Sequence, residues 1–408
     1  VCVDCVETAS EKISEAFECA LSGRCGCVHI SIPLDLQEKE IPKGKLHEIK
    51  RFRHVLMTHI ESRPLIIMGW GCWMANAADE VYRLSEVIGA PILVTSKAYC
   101  CIESNHPFYL GKLGYGYAPQ IKTFLDSYRP DQILIFGSSL GEKDINGDIE
   151  DYLKSTKICA WGNDLEMIKK KYPCAILCKT TNMADDIKKL THNNIGRIIE
   201  HHVIEAISRT KKEICKYWED KIESRDFMAK AIKLINEIPG NIVVTADAGN
   251  HLLNAGALLF PKSVGNLFID VGIRSMGSGL CAAVGMAFAD NKKKYVAVTG
   301  DGCMLMNGNV MHLISVYNLP VVILIFNNHS LGRVRVGQSV TGKYRSTDIY
   351  HVDFVLYAKS FGLRAYRFDS FDEYSENVKD IIQKECPVVI EVVTDHDEVP
   401  VTLKENIY

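Results

Sequence analysis

Two short polar stretches, each directly after an apolar run, are the residues of this chain best suited to chemistry. Gly300-Asp301-Gly302 follows residues 295–299, and Asn327-Asn328 follows residues 321–326. Such apolar runs are typical of strands that are buried on both faces of a parallel sheet. The polar residues would therefore lie where two buried strands end.

The segment between the two stretches is predicted to form a helix over residues 305–317. Its apolar side chains recur at helical spacing, at Met306, Val310, Leu313, Ile314 and Tyr317. A strand–helix–strand unit brings two parallel strands to the same edge of one sheet. We therefore expect the side chains that follow the two strands to lie side by side, near the start of a helix.

This arrangement suits a divalent cation together with a diphosphate. The carboxylate of Asp301 and the side-chain oxygen of Asn328 are hard ligands of the kind that Mg²⁺ prefers, and Mg²⁺ also keeps phosphate oxygens and water. Gly302 and Cys303 stand at the predicted helix start, where backbone N–H groups attract phosphate. Asp301 alone could be a helix N-cap, but that interpretation leaves the second strand end with its two asparagines unexplained.

The pattern resembles the cofactor motif of thiamine diphosphate enzymes, in which Gly-Asp-Gly is followed by a pair of asparagines. Residues 274–285 resemble a Met-Gly-x-Gly-Leu-Pro-Ala-Ala-x-Gly stretch of the acetolactate synthase and pyruvate oxidase branch, with Cys281 where proline is usual. Asp247-Ala248-Gly249-Asn250-His251 resembles the diphosphate-contacting turn of that branch. The resemblance extends over nearly all 408 residues.

The resemblance implies a role for each matching residue. It makes Asp301, Asn328 and the backbone carbonyl of Ser330 the Mg²⁺ ligands. It makes Met276 the wedge beneath the thiazolium ring, which we treat as catalytic together with Arg333. The implied cofactor-binding residues are Gly249, Asn250, His251, Met276, Gly277, Gly300, Gly302, Cys303, Asn328, Ser330 and Leu331. The implied activity is decarboxylation or carboligation of a small 2-oxo acid, with thiamine diphosphate and Mg²⁺ as cofactors.

The loop after the metal motif departs from the acetolactate synthases. Arg333 and Gly337 stand where those enzymes carry Met and Trp, and Arg335 adds a second positive charge. Two arginines near the reacting centre would suit an anionic donor or acceptor, and they would equally suit a solvated surface. Acetolactate as the product is therefore in doubt.

Length and composition predict a multidomain globular protein. The chain is too long for one ordinary core, and 47% of its residues are hydrophobic and 24% charged. A net charge of −3 gives no reason to expect nucleic acid, and no apolar run reaches the length of a membrane span. The resemblance implies a cytoplasmic enzyme, in which the fifteen cysteines would stay reduced.

The order of predicted elements indicates an α/β fold with two doubly wound parallel-sheet domains, preceded by the tail of a third. We divide the chain into residues 1–45, a remnant of the family's pyrimidine-binding domain with a linker, residues 55–190, a central domain, and residues 226–408, the diphosphate-binding domain. Strands are predicted at 28–33, 64–68, 91–95, 131–136, 157–161, 174–178, 241–246, 295–299, 321–327, 364–368 and 387–393. Helices are predicted at 74–88, 118–128, 184–223, 277–289, 305–317, 353–361 and 372–384.

The first residues resemble the end of the family's N-terminal domain, with Pro33 and Asp35 at matching positions. On that basis the chain is expected to be a fragment, a processed product or one subunit of a split enzyme. In the family a glutamate of the N-terminal domain protonates the pyrimidine ring. A homodimer, a homotetramer or a separate subunit bearing that domain is therefore the expected assembly, and the chain alone is expected to turn over poorly.

Three alternatives stay open. Residues 277–282 fit a dinucleotide fingerprint, with Asp301 downstream, and Gly69-Trp70-Gly71 follows a predicted strand, so an NAD(P)-dependent dehydrogenase is the rival enzyme class. A non-catalytic subunit that retains the fold is the second alternative. FAD is only weakly indicated, because residues 110–114 resemble a flavin-contacting stretch but Ser139 stands where flavin-binding relatives carry Arg.

Overall fold

A computed structural model describes residues 1–21, 26–40, 59–141, 144–145, 147–180, 182–197 and 201–404. Four predicted regions extend beyond the described residues. The segment at 1–45 includes residues 22–25 and 41–45, the central domain at 55–190 includes 55–58, 142–143, 146 and 181, the helix at 184–223 includes 198–200, and the domain at 226–408 includes 405–408.

The N-terminal segment contains two helices and one short bridge. Helix α1 covers Ala9–Leu21 and α2 covers Leu34–Gln37. The strand predicted at 28–33 is wrong: Ser31 makes an isolated parallel bridge to Cys2, and residues 26–30 have no regular structure. Among the described residues no other segment pairs with it, and a strand needs a neighbour to satisfy its backbone groups.

The central sheet has six parallel strands in the order β3-β2-β1-β4-β5-β6. Its strands are β1 (Pro64–Met68), β2 (Ile92–Val94), β3 (Tyr109–Lys112), β4 (Gln132–Phe136), β5 (Lys157–Gly162) and β6 (Ile176–Lys179). The helices that accompany it are α3 (Trp70–Met74), α4 (Ala78–Ile88), α5 (Gln120–Tyr128), α6 (Gly147–Ser155), α7 (Glu166–Lys171), α8 (Met183–Asn193) and α9 (His201–Asp220). Both middle strands, β1 and β4, are buried along their whole length, which explains their unbroken apolar sequence.

The C-terminal sheet also has six parallel strands, in the order β11-β12-β10-β9-β7-β8. Its strands are β7 (Ile242–Ala246), β8 (Leu267–Ile269), β9 (Lys294–Gly300), β10 (Val321–Asn327), β11 (Arg364–Phe368) and β12 (Val388–Val393). Its helices are α10 (Phe227–Leu234), α11 (Asn250–Leu258), α12 (Ser278–Ala289), α13 (Asp301–Asn307), α14 (Met311–Val316), α15 (Gly332–Ser339), α16 (Phe354–Ser360) and α17 (Phe371–Lys384). The two sheets confirm the predicted α/β class.

The helix predicted over 305–317 is wrong in its start, its continuity and its buried face. Helix α13 begins at Asp301, a 3₁₀ turn follows at Gly308–Val310, and α14 then runs to Val316. Met306 and Tyr317 are exposed, whereas Met304 and Met311 are fully buried. The break at Gly308 changes the register, so that the apolar residues do not form one continuous stripe.

Other differences concern the limits of predicted helices and short elements that were not predicted. The helix predicted at 74–88 begins only at Ala78, as α4, and the short helix α3 before it had no counterpart in the prediction. The polar helix predicted at 184–223 divides into α8 and α9. Strands β3 and β8 and helices α6, α7, α10, α11 and α15 had no counterpart in the prediction. Most are short, and short apolar runs do not show which period they follow.

A buried lysine joins the two halves of the molecule. Lys112 ends β3 at the edge of the central sheet, and its Nζ donates to the carbonyl oxygens of Gly256, at 2.8 Å, and Leu259, at the end of α11. The ammonium also lies 4.2 Å from the ring centroid of Phe260. Carbonyl groups at a helix C-terminus carry partial negative charge, so this contact fixes α11 against the central sheet.

Candidate active site

Two neighbouring strand ends of the C-terminal sheet carry the residues of the metal motif. Strands β9 and β10 pair in parallel, with Gly300 opposite Phe326. Asp301 therefore begins α13 at the same edge where Asn327 and Asn328 leave β10. The chain order of this sheet reverses between β7 and β9, and ligands of doubly wound sheets bind in the crevice at such a point.

The carboxylate of Asp301 is buried and held by two backbone donors. Its Oδ1 accepts from the N–H of Gly302 at 2.7 Å, and its Oδ2 accepts from the N–H of Ser330 at 3.1 Å. Burial raises the pKa of Asp301 to about 6. The N–H of Gly302 thus faces the carboxylate, which differs from its predicted contact with phosphate.

The two asparagines after β10 have different surroundings. Asn327 donates to Glu391 on β12 at 2.7 Å and accepts from the N–H of His329, so it ties the strand end to the sheet. Asn328 is also buried, and its Nδ2 makes a long contact of 3.5 Å to the His396 carbonyl. Asn327 is therefore committed to the sheet, which leaves Asn328 as the candidate metal ligand of the two.

Ser330 follows in a loop that is pinned to residues further along the chain. Its hydroxyl donates to the carbonyl of Thr347 at 3.1 Å, and its own carbonyl accepts from the N–H of Gly332 at 2.8 Å. A carbonyl oxygen has two lone pairs, so one remains for a metal ion.

The start of α11 contributes two buried polar atoms without partners. Asn250 and His251 follow Gly249, and Asn250 Oδ1 and His251 Nε2 have no hydrogen-bond partner within the described part of the chain. Burial lowers the pKa of His251 to about 4, so the ring is neutral near pH 7. Gly249 has φ of 156°, and a Cβ there would collide with the imidazole, which explains the glycine.

Gly332 marks the point on which two amide side chains converge. A Cβ on Gly332 would come within 2.8 Å of both Asn250 Nδ2 and Asn328 Nδ2. Helix α11 and the end of β10 therefore present amide groups to one small volume, although they lie far apart in the sequence. Buried amides with unmet hydrogen-bonding capacity are unusual and favour a ligand at this point.

Met276 lies against the start of α13. Its Cε would be 2.8 Å from a Cβ on Gly302, and Leu331 Cδ2 would be 3.0 Å from the same position. Gly277 has φ of 87°, a backbone conformation that favours glycine, and Asn307 donates to the Met276 carbonyl at 2.9 Å. Met276 is therefore held by its backbone while its side chain borders the cavity.

Cys303 is buried and donates its thiol to the Ala248 carbonyl at 3.2 Å. Burial raises the pKa of Cys303 to about 12. A thiol of this kind stays protonated, so Cys303 contributes backbone and packing to the site and no nucleophile.

Asp247 organises the loops of the site and was missed as an individual residue. Its buried carboxylate accepts from the N–H groups of Gly277 and Gly279, at 2.8 and 3.2 Å, and from the hydroxyl of Thr299 at 3.0 Å. The signal available in the sequence was an acidic residue directly after a predicted buried strand. Asp247 links the ends of β7 and β9 to the loop that carries Met276.

The arginines divide differently from the prediction. Arg333 is exposed and borders the cavity, as expected. Arg335 points away and pairs with Asp397 at 2.7 Å and Asp348 at 3.6 Å. Arg274, for which the sequence analysis predicted no separate role, also borders the cavity. Of the three arginines, Arg335 is therefore paired with carboxylates, whereas Arg274 and Arg333 border the same cavity.

All thirteen predicted site residues except Gly277 line one cavity of about 260 Å³, which we call the strand-tip cavity. Asp301 is its one acidic lining residue within the described part of the chain. No group of three or more His, Cys, Asp or Glu side chains that could bind a metal occurs among the described residues. One carboxylate with amide and carbonyl oxygens and a facing diphosphate fits Mg²⁺, which takes few protein ligands. It does not fit a closed zinc site.

Comparison with known protein families assigns both sheets to domains of one enzyme family. Residues 58–187 match the description "Thiamine pyrophosphate enzyme, central domain". Residues 247–392 match "Thiamine pyrophosphate enzyme, C-terminal TPP binding domain". The chain therefore belongs to the thiamine diphosphate-dependent enzymes, of the lyase or transferase type.

Its similar relatives are acetolactate synthases. The chain is 27% identical to the probable acetolactate synthase large subunit of Methanocaldococcus jannaschii, over 96% of this chain and 70% of that protein. It is 26% identical to the isozyme 1 large subunit of Escherichia coli, over 96% and 71%. It is 25% identical to the chloroplastic acetolactate synthase 1 of Oryza sativa, over 96% and 65%.

The comparisons give no support to the dehydrogenase or to the non-catalytic alternative, and the structure explains why the glycine motif misleads. The N–H groups of Gly277 and Gly279 already donate to Asp247, so they do not present an open cradle to a pyrophosphate. No helix among the described residues is long and apolar enough to cross a membrane.

Proposed function

We propose that this protein catalyses Mg²⁺- and thiamine diphosphate-dependent decarboxylation or carboligation of a small 2-oxo acid. The observation that carries the proposal is the strand-tip cavity, where Asp301 and Asn328 directly follow neighbouring strands. Asn250 and His251 present buried atoms there that have no partner among the described residues. The acetolactate synthases in the comparisons support the reaction class.

In this proposal different residues of the cavity bind different parts of the cofactor. Asp301, Asn328 and the Ser330 carbonyl hold Mg²⁺, and the start of α11 with Gly249, Asn250 and His251 faces the diphosphate. Gly300, Gly302 and Cys303 supply backbone at the start of α13, and Gly277 shapes the loop of Met276. Met276 supports the thiazolium ring and Leu331 closes the apolar wall.

When bound, thiamine diphosphate would supply the electron sink that accepts the electron pair left behind by carbon dioxide. The chain contributes position and exclusion of water. The neutral ring of His251 adds no positive charge beside the diphosphate, and the protonated thiol of Cys303 adds no competing nucleophile. Arg333 stands at the open side, where a substrate would approach.

We further propose that a carboxylate from another domain or subunit completes the site. Asp301 is the one acid that lines the cavity among the described residues, and it is committed to the metal. A homodimer, a homotetramer or an association with a separate subunit would supply the missing acid. Within the described residues all fourteen cysteines are unpaired, which supports a reducing, cytoplasmic location.

The proposal is tested by thermal unfolding of the purified chain. The unfolding midpoint should rise when Mg²⁺ and thiamine diphosphate are added together, because a ligand that binds only the folded state stabilises it. Either compound alone should have a smaller effect, and NAD none. Stabilisation by NAD without a response to the Mg²⁺–thiamine diphosphate pair would reject the proposal.

Turnover gives a second and separate test. Carbon dioxide release from pyruvate by the chain alone should be slow, because the proton-relaying carboxylate is supplied from elsewhere. Rapid release by the isolated chain would show that no further carboxylate is needed, and that part of the proposal would fall while the cofactor assignment stood.

A further inference from the structure

Arg274 combines backbone strain with unsatisfied hydrogen-bond donors. It lies in the loop between β8 and α12 with φ of 62°, a left-handed conformation that is unfavourable for a residue with a long side chain. Its guanidinium carbon lies 4.9 Å from the ring centroid of Tyr115, which belongs to the central half of the molecule. The side chain is thus held at the seam between the two sheets, facing the strand-tip cavity.

Two donor atoms of this guanidinium are buried without partners in the described part of the chain. Arg274 Nε and Nη2 have no hydrogen bond to any described residue, although both atoms are shielded from solvent. A guanidinium stays charged at any ordinary pH, so it cannot escape burial by losing a proton. Strain and unmet donors at one residue are the pattern expected of a ligand-binding group.

A second arginine strengthens the positive charge at the same place. Arg333 lines the same cavity, and its charge together with burial lowers the pKa of Arg274. The one lining carboxylate, Asp301, already accepts from the N–H groups of Gly302 and Ser330. Arg335, in contrast, has two carboxylate partners of its own. Among the described residues, Arg274 and Arg333 therefore have no carboxylate partner of the kind that Arg335 has in Asp348 and Asp397.

The chemistry of the proposed reaction decides which anion fits. A carboxylate that leaves as carbon dioxide loses its charge in the transition state, so two arginines gripping it would stabilise the ground state and slow the step. A carboxylate that the reaction retains keeps its charge throughout. Guanidinium groups bind such a group with paired hydrogen bonds.

We infer that Arg274 and Arg333 bind a carboxylate that the reaction retains, either a second acid group of the donor or the carboxylate of the acceptor. The inference rests on the proposed function and adds a substrate class to it. Arg274 is then a specificity-determining residue: the enzyme accepts substrates with a retained carboxylate and discriminates against apolar substrates of the same length.

The test uses probes that bind but do not react. The chain is loaded with Mg²⁺ and thiamine diphosphate and titrated calorimetrically with pentanoate, a five-carbon carboxylate, and with pentanamide, its neutral amide of equal length. Pentanoate should bind at least about tenfold more tightly, and Arg274→Met should bring the ratio close to one. Arg274→Lys, which keeps the charge but loses the planar fork, should retain part of the preference. Arg364→Met, at an exposed position of β11, is the matched control and should leave the ratio unchanged.

Donor and acceptor sources are separated by turnover of the assembled enzyme. If the donor carries the retained carboxylate, 2-oxoglutarate should be decarboxylated faster than 2-oxopentanoate in the absence of an acceptor. If the acceptor carries it, both should be decarboxylated alike, and only ligation to a 2-oxo acid should depend on Arg274. If the enzyme showed neither the preference for 2-oxoglutarate nor a ligation that depends on Arg274, but still bound the cofactor, the inference would be overturned and the proposed function would stand.

Other results would also overturn it. Equal binding of pentanoate and pentanamide by the unaltered chain excludes a carboxylate receptor, even if the methionine variant fails to fold. A loss of Mg²⁺–thiamine diphosphate affinity in Arg274→Met, with no change in the probe ratio, would assign the arginine to the diphosphate. A change of assembly state in sedimentation, with both ligands unaffected, would assign it to a carboxylate of a partner. Failure to bind the cofactor at all would instead reject the proposed function.

Discussion

The central and C-terminal sheets share one architecture but differ at the point where ligands are expected. Each has six parallel strands and a reversal of chain order, between β1 and β4 in one sheet and between β7 and β9 in the other. In the central sheet two glycines meet at the reversal: Gly71 donates its N–H to the Gly137 carbonyl at 2.8 Å. In the C-terminal sheet it is bordered by Asp247, Asp301 and Asn250, all buried.

The difference shows that the fold supplies a crevice and the residues at the strand ends decide its use. In the central sheet, glycines let the loops after β1 and β4 pack against each other beside a cavity of about 590 Å³. In the C-terminal sheet, carboxylates and amides line the smaller strand-tip cavity. The same position in the C-terminal sheet concentrates buried polar atoms, which are stable only with a ligand or a donor nearby.

The largest effect that would separate the two sheets is expected from Asp301→Asn. The change keeps the shape of the side chain and removes the charge that we assign to Mg²⁺. Loss of a supporting residue in a metal site lowers affinity about 10–100-fold, so loss of a ligand should weaken Mg²⁺-dependent thiamine diphosphate binding by more than about 100-fold. Isothermal titration calorimetry measures this directly.

Asp164→Asn is the matched control for that experiment. Asp164 follows β5 at the same edge of the central sheet and accepts from the N–H of Glu166 at 3.3 Å. Its replacement should leave cofactor affinity unchanged. A change below about tenfold in Asp301→Asn, or an equal loss in both variants, would contradict the contrast between the sheets.

A smaller effect is expected from two glycine-to-alanine changes, each within a helix. A Cβ on Gly71 in α3 would come within 2.7 Å of Gly137 Cα, whereas a Cβ on Gly285 in α12 meets nothing within 4 Å. Gly71→Ala should lower the free energy of unfolding by about 1–3 kcal/mol through overpacking. Gly285→Ala should raise it by about 0.5–1 kcal/mol, because alanine favours the helix.

Urea-induced unfolding followed by circular dichroism measures both changes. If Gly71→Ala were neutral, the close backbone contact between Gly71 and Gly137 would not constrain the loops after β1 and β4. If Gly285→Ala were destabilising, the exposed face of α12 would be packed against another chain.

The strand ends of the metal motif could be predicted because two long, unbroken apolar runs are followed by polar residues. Strand β10 was predicted with its observed limits and β9 within one residue at each end. In a parallel strand–helix–strand unit the carboxyl ends of both strands lie at the same edge of the sheet. The start, continuity and buried face of the helix between them could not be predicted correctly. Its apolar residues fit one face only if the helix is continuous, and the turn at Gly308 interrupts it.

The remaining site residues depend on contacts between distant parts of the chain. Arg274 faces the cavity because Tyr115, more than 150 positions earlier, lies beside it, and nothing in the local sequence indicates that neighbour. Arg335 looked equivalent to Arg333 until the fold brought Asp397 to it. Roles that follow from the family, such as that of Met276, came from resemblance, because residue type alone would have suggested core packing.

The smallest effect concerns Lys112, which links the two sheets. Burial lowers its pKa to about 7, against about 10.4 for a free lysine, while nearby Cys215 opposes the shift. Between these two values the unfolded chain binds more protons than the folded one, so the contribution of Lys112 to the free energy of unfolding should increase with pH. It should be least at pH 7 and complete only near pH 10.

Lys112→Met removes this dependence while keeping a long side chain. The difference in unfolding free energy between the unaltered protein and Lys112→Met should grow by roughly 1 kcal/mol per pH unit from pH 7.5 to 9.5, measured by urea unfolding with reductant present. Lys384→Met, at an exposed helix end, should show no such trend. A difference that stays constant with pH would mean that Lys112 is charged throughout. The end of α11, and with it Asn250 and His251 at its start, would then be held by a permanent ion–dipole contact to the central sheet.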